Sequence, residues 1–139
     1  MDGDAVGRRW HDLAAASVPS ALMRPAPPDA GACDERYVAA AWAGFTEPLR
    51  KYAASRLFGS WVAYQGRGLR TVLASVRCAL AVVRMEAVRA CAAAERPLDA
   101  ALLRHAIRQT ELLLVHKADQ QELASRLSRV ENGGRPAVC

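Results

Sequence analysis

Residues 69–99 read LRTVLASVRCALAVVRMEAVRACAAAERPLD, and this stretch decides the fold. Leu69, Leu73, Val76, Leu80, Val83, Ala87, Ala90 and Ala94 alternate steps of four and three, a coiled-coil seam sustained for more than three heptads. The small residues at its end let a partner helix come close. Glu95-Arg96-Pro97 then ends the helix, because proline disfavours helical backbone in the residue before it. Pro97, with Asp99 at the third position, opens the next helix. So short a connection makes the two helices antiparallel neighbours.

The second helix is expected from about residue 98 to 131, where Asn132-Gly133-Gly134 supplies a stop. Its seam, counted as one continuous helix, is Leu102, Ala106, Gln109, Leu113, His116, Gln120, Leu123, Leu127 and Val130. Three of these nine positions are polar, which is unusual for a seam. Leu112–Val115 is apolar all round, so it calls for cover on more than one side, from the helix near Trp42 or from a second copy of the chain.

Upstream, Asp34 reads as an N-cap with Glu35 in the first turn, opening a helix through Tyr37, Val38, Trp42 and Phe45. Thr46-Glu47-Pro48 offers a second cap and a proline suited to a first turn, so a break or kink is expected there. Helix continues through Leu49, Tyr52 and Leu57, while Gly59 and Gly66-Arg67-Gly68 weaken the next stretch. Before this, residues 4–16 suggest a short helix with Trp10 and Leu13 on one side. Pro19, Pro25, Pro27, Pro28 and Gly31 mark a linker. The expected organisation is a short helix plus linker over 1–33, a bundle over 34–132 and a disordered tail over 133–139.

Composition agrees with an all-α reading. Of 139 residues, 29 are Ala and one, Ile107, is Ile, so unbranched helix-favouring side chains dominate. A β-sandwich is excluded, and at 52% hydrophobic the chain is too apolar for wholesale disorder. The most apolar stretch, Thr71–Val83, contains Arg77 and is too short to span a bilayer, so a soluble protein is expected. The start Met1-Asp2-Gly3-Asp4 lacks the basic and apolar regions of a secretory signal. Cys33, Cys78, Cys91 and Cys139 form no close pair and read as reduced thiols of a cytosolic or nuclear protein.

The net charge of +5 is uneven. Residues 1–47 carry a net −3, residues 48–96 a net +7, and residues 98–131 balance. Arg70, Arg77 and Arg84 recur every seven residues, with Arg67 one turn before, making one stripe along the helix, away from the seam. A solvated face, an acidic protein partner and nucleic acid are its three readings, in that order. Trp42, Phe45, Tyr52, Phe58, Trp61 and Tyr64 cluster in residues 37–64. Trp42 and Phe45 read as core, whereas Trp61 and Tyr64 stand evenly between core and a docking hot spot.

Reaction chemistry is hard to find. His105 and His116 share a helix face but sit about 16 Å apart along it, too far to hold one metal. Gly66-Arg67-Gly68 lacks the Lys-Ser/Thr of a phosphate loop and the third glycine of a dinucleotide fingerprint. Neither a cofactor nor an enzyme is expected.

Short matches in order along the chain add one resemblance. Met1-Asp2-Gly3-Asp4-Ala5, Asp34-Glu35-Arg36-Tyr37-Val38, Arg56-Leu57, Cys78, Leu98-Asp99, Ala101-Leu102 and Ala118-Asp119-Gln120 resemble the alphaherpesvirus small tegument protein family encoded by the fourteenth gene of the unique long region. The resemblance implies a non-enzymatic virion protein of host nucleus and cytoplasm. It would act as a chaperone-like adaptor for other tegument or capsid-associated proteins, aid their nuclear targeting and envelopment, and modulate apoptosis. It brings no catalytic residue.

The expectation is therefore an all-α helical bundle built on a long antiparallel hairpin, about 60–94 against 98–131, covered by one or two helices from 34–58. Arg67, Arg70, Arg77, Arg84, Trp61, Tyr64, Leu112 and Val115 are the candidate partner-binding residues. A homodimer is a further candidate assembly, and a basic nucleic-acid-binding or regulatory protein is the alternative function.

Overall fold

A computed structural model of the chain describes residues 27–133. The helix expected over 4–16, most of the linker and the tail beyond Gly133 lie outside the described residues. Those described form an all-α bundle without a strand.

Helix begins at α1, Ala30–Cys33, where Cys33 N donates to Asp29 O at 2.9 Å. A wide π-helical turn comes next at Asp34–Val38, then α2 at Ala39–Trp42 and a 3-10 turn at Ala43–Phe45. Asp34 is therefore inside the helical run and not its cap, because its carboxylate is drawn inward to Arg84. The break expected near Thr46 is present: α3, Thr46–Ala63, starts there with Pro48 in its first turn, where a missing N–H costs nothing. The Thr46 hydroxyl donates back to Ala43 O at 2.8 Å.

Gly59 is passed without interruption, but the Gly-Arg-Gly triplet is a turn, not a weak point in a helix. Gly66 and Gly68 take φ of +84° and +90°, which side-chain-bearing residues rarely adopt. The first arm of the expected hairpin is corrected accordingly. It is α4, Leu69–Ala94, and residues 60–63 belong to α3 on the other side of the turn.

Glu95 ends α4 in the left-handed conformation, φ +51°, a position usually filled by glycine. Asp99 then caps α5, Ala100–Glu111, its Oδ1 accepting from Leu102 N at 2.8 Å. The connection is held down by Leu98 N donating to Tyr37 O at 2.9 Å.

The second arm is also corrected. Leu112–Lys117 widens into a π-helical turn, with Ala118 N donating to Leu113 O at 2.9 Å, and Ala118 is extended. Asp119 starts a new helix, α6, Gln120–Gly133, its Oδ1 accepting from Glu122 N at 2.8 Å. This explains two of the three polar seam positions. The buried residues run Leu103, Ala106, Thr110, Leu114 and Ala118, then jump five places to Leu123 and on to Leu127. His116 and Gln120 fall in the seam only if the helix is taken as unbroken, and both are exposed; Gln109 precedes the interruption and is half-buried, one position before the buried Thr110.

Two core clusters sit along α4. One joins Val83, Ala87 and Cys91 to Val38 of the first helical run and to Leu98 and Leu103. The other joins Val72, Cys78 and Val82 to Leu114, Leu123 and Leu127. Each fully buried leucine contributes about 1.5–3 kcal/mol. Bulk apolar packing, not polar bonding, holds α4 at the centre.

Candidate partner-docking face

Helix α4 is surrounded unevenly. Its seam is one stripe in sequence, yet it is covered only in its middle: Val83 and Ala87 are buried in the cluster that includes Val38, while Ala94 at the C-terminal end is exposed. At the other end Leu69 is 58% exposed and Leu73 40%. The heptad pattern thus misplaces part of the core. In the first three turns of α4 the core is formed by Val72, Ala74, Cys78 and Ala79, on another face.

Helix α3 supplies the opposite wall. Ser75 Oγ donates to Ser60 Oγ at 2.7 Å, a buried contact that sets the antiparallel register of α3 on α4. That register puts Trp61 near Leu69, and Ala53 near Leu80. Trp61 is 57% exposed, and Phe58 and Val62 extend the exposed apolar ridge of α3. Two hollows mark the ends of the groove between the helices. One, about 370 Å³, is lined by Trp61, Tyr64, Gly66, Gly68, Leu69 and Val72. The other, about 300 Å³, is lined by Trp42, Thr46, Leu49, Arg50, Ala53 and Leu80.

The arginine stripe is shorter than its spacing suggests. Arg84 is withdrawn from it, with Nε donating to Asp34 Oδ1 and a terminal nitrogen to Asp34 Oδ2, each at 2.9 Å. Its guanidinium also lies 5.0 Å from the centre of the Trp42 ring. Arg84 is thus a fastener for the first helical run and not a partner contact. Arg67, Arg70 and Arg77 remain exposed on the flank of α4.

Tyr64 is corrected likewise. It is buried in the cluster with Val72 and Leu123, its hydroxyl donating to Gln120 Oε1 at 3.3 Å. Leu112 and Val115 are exposed on the π-helical turn, an element separate from the α3–α4 groove. The cover expected for that girdle reaches Leu114 and, in part, Leu113.

Tyr52, Arg56 and Glu111 are committed to the fold. Tyr52 donates to Glu111 Oε1 at 2.7 Å, and Arg56 approaches the same oxygen at 3.7 Å. Burial, and then this bond, push the Tyr52 phenol above its ordinary value. Burial pushes the Cys33 and Cys91 thiols upward too. His105 and His116 are exposed, and the described residues contain no cluster of three His, Cys, Asp or Glu side chains placed to hold a metal ion. Among them no helix is long and apolar enough to cross a membrane.

The Asp34–Arg84 pair and the restart of the chain at Asp119 were not anticipated from sequence. The first joins residues fifty apart and leaves no local signal. The second had one: Asp119 followed by Glu122 is the spacing of a capping box. Comparison of the chain with protein-family models, with curated proteins and with solved structures found no match.

Proposed function

We propose that this chain is a non-enzymatic interaction protein, an adaptor with chaperone-like behaviour, and that the α3–α4 groove is where it holds other proteins. The observation that carries this reading is the half-covered seam of α4. Large apolar side chains at heptad spacing stand in solvent at Leu69 and Leu73, and Leu69 lines the same hollow as the exposed Trp61. Exposed apolar patches of this kind mark interaction sites, since leaving them open lowers solubility without stabilising the fold. The resemblance to the alphaherpesvirus small tegument proteins supports the same class and suggests tegument or capsid-associated clients, with nuclear targeting and virion assembly as the setting.

The test is light scattering from an unrelated enzyme unfolding at elevated temperature, with the full chain added in equimolar amount. Suppressed aggregation is expected, with most of the effect lost in the triple variant Phe58→Ser, Trp61→Ser, Leu69→Ser. No suppression, or suppression indifferent to the three changes, refutes the reading.

A nucleic-acid-binding function draws on Arg67, Arg70 and Arg77, which are exposed along a stretch, residues 48–85, that holds no acid. Its mark is DNA affinity falling steeply with salt. Its weakness is the neighbouring apolar groove, which phosphate contacts would leave uncovered.

A further inference from the structure

We infer that the occupant of the α3–α4 groove is an amphipathic helix of another protein, three to four turns long and acidic along one flank. This deepens the adaptor reading and rests on it.

The length comes from the groove itself. Leu69 and Leu80, which border the two hollows, are eleven residues apart on α4, three helical turns or about 16 Å. A visiting helix offers apolar side chains at i, i+4, i+7 and i+11, the spacing that Leu69, Leu73, Val76 and Leu80 themselves present. Its terminal pair fits the hollows at Gly66 and at Thr46. The chain's own packing supplies the pattern: farther along the same seam, Val83 and Ala87 are already buried under a helical segment. A visitor continues that contact toward the turn at Gly68.

Charge chooses the kind of helix. Residues 48–85 carry cations and no acid, so nothing within α3 beyond Glu47, or within the first four turns of α4, offsets Arg67 and Arg70. Glu47 lies at the far end and is engaged by Arg50 at 3.7 Å and Lys51 at 3.9 Å. A second copy of this chain would bring the same cationic wall against itself, and like charges across an interface count against that pairing. A helix whose apolar stripe is bordered by Glu or Asp meets Leu73 with its stripe and Arg70 with its flank. Nucleic acid satisfies the arginines alone, and a neutral helix satisfies the leucines alone.

Three fluorescein-labelled, helix-stapled peptides with one leucine stripe and flanks of Glu, Lys or Gln test this against the full chain by fluorescence anisotropy. The Glu peptide is expected to bind at least roughly tenfold more tightly than the Lys peptide at about 50 mM salt, with the gap narrowing at about 300 mM. Leu73→Gln is expected to weaken all three peptides. Arg70→Glu is expected to invert the order of Glu and Lys, and circular dichroism of both variants should match the parent. Equal affinities, or no binding, overturn the acidic-helix assignment. If the enzyme-aggregation assay still shows suppression, the adaptor reading survives that failure; if it does not, both fall. Sedimentation that reveals a dimer dissociated by Leu73→Gln overturns the assignment in favour of a second copy.

Discussion

Replacing Arg84 with methionine asks how firmly the first helical run is fastened. Its guanidinium donates two hydrogen bonds of 2.9 Å to Asp34, and only 11% and 10% of the two side chains are exposed, so solvent screens the pair little. Arg84→Met leaves the Asp34 carboxylate buried beside apolar neighbours without its counter-charge. Breaking such a pair from one side costs about 3–5 kcal/mol. Loss of the cation over Trp42 adds about 0.5–1 kcal/mol. Against a total stability of roughly 5–15 kcal/mol for a domain, this is a large fraction. It corresponds to a fall in Tm of about 10–20 °C. Urea unfolding followed by circular dichroism at 222 nm gives the free energy directly. The double variant Asp34→Leu, Arg84→Met is expected to recover most of the loss, because no unpaired charge remains. A single variant within about 1 kcal/mol of the parent refutes the reasoning, as does a double variant no more stable than the single. Raising NaCl from about 0.05 to 0.5 M should leave the difference nearly unchanged, which separates this pair from the exposed one between Glu122 and Arg126.

Other expectations concern the backbone and the buried protons. Gly59→Ala and Gly68→Ala should have opposite signs, although an added Cβ meets nothing within 4 Å at either site. The first lies inside α3 and gains roughly 0.5–1 kcal/mol from helix propensity; the second, at φ +90°, loses about 1 kcal/mol or more, and thermal melts of the two read the contrast. Asp99→Ala removes the cap of α5 and should lower stability by about 1 kcal/mol, with Asp99→Asn nearly neutral in the same urea assay. Burial raises the Cys33 and Cys91 thiols above their ordinary 9.0, and Tyr52 is raised as well, so the folded chain holds these protons more tightly than the unfolded one. Their stabilising contribution is complete below the unfolded values and lost as pH climbs through the folded ones; a urea midpoint that rises above about pH 9 contradicts the burial.

Local signals in the chain were the legible ones. Pro97 and Asp99 mark the α4–α5 connection, and Thr46 with Pro48 marks the start of α3, because caps and prolines act within a few residues of themselves. Alanine-rich composition settles the helical class for the same reason. The heptad seam was legible as a stripe, but spacing cannot say whether a stripe is buried by the chain's own helices or left open. That depends on where the segment around Val38 comes to rest. Arg84 shows the same limit: its seven-residue interval from Arg77 is real, but its partner stands fifty residues away. The wide turn at Asp34–Val38 left no cue, and the one at Leu112–Lys117 only the polar His116 and Gln120 in a supposed seam and the capping pair Asp119 and Glu122 just after it.

The wide turn at Leu112–Lys117 has a consequence for how the chain tolerates change in length. One residue in a helix is worth about 100° of rotation. Deleting a single residue between Leu112 and Lys117 would tighten this loose coil into an ordinary one and turn the Ala118–Asp119 junction, from which α6 restarts, by about that angle. Leu123 and Leu127 would then leave α4 and turn toward water. The slack coil works as an indexing gear, setting which side of the last helix meets the bundle, so an insertion or deletion there should be far more damaging than any conservative replacement.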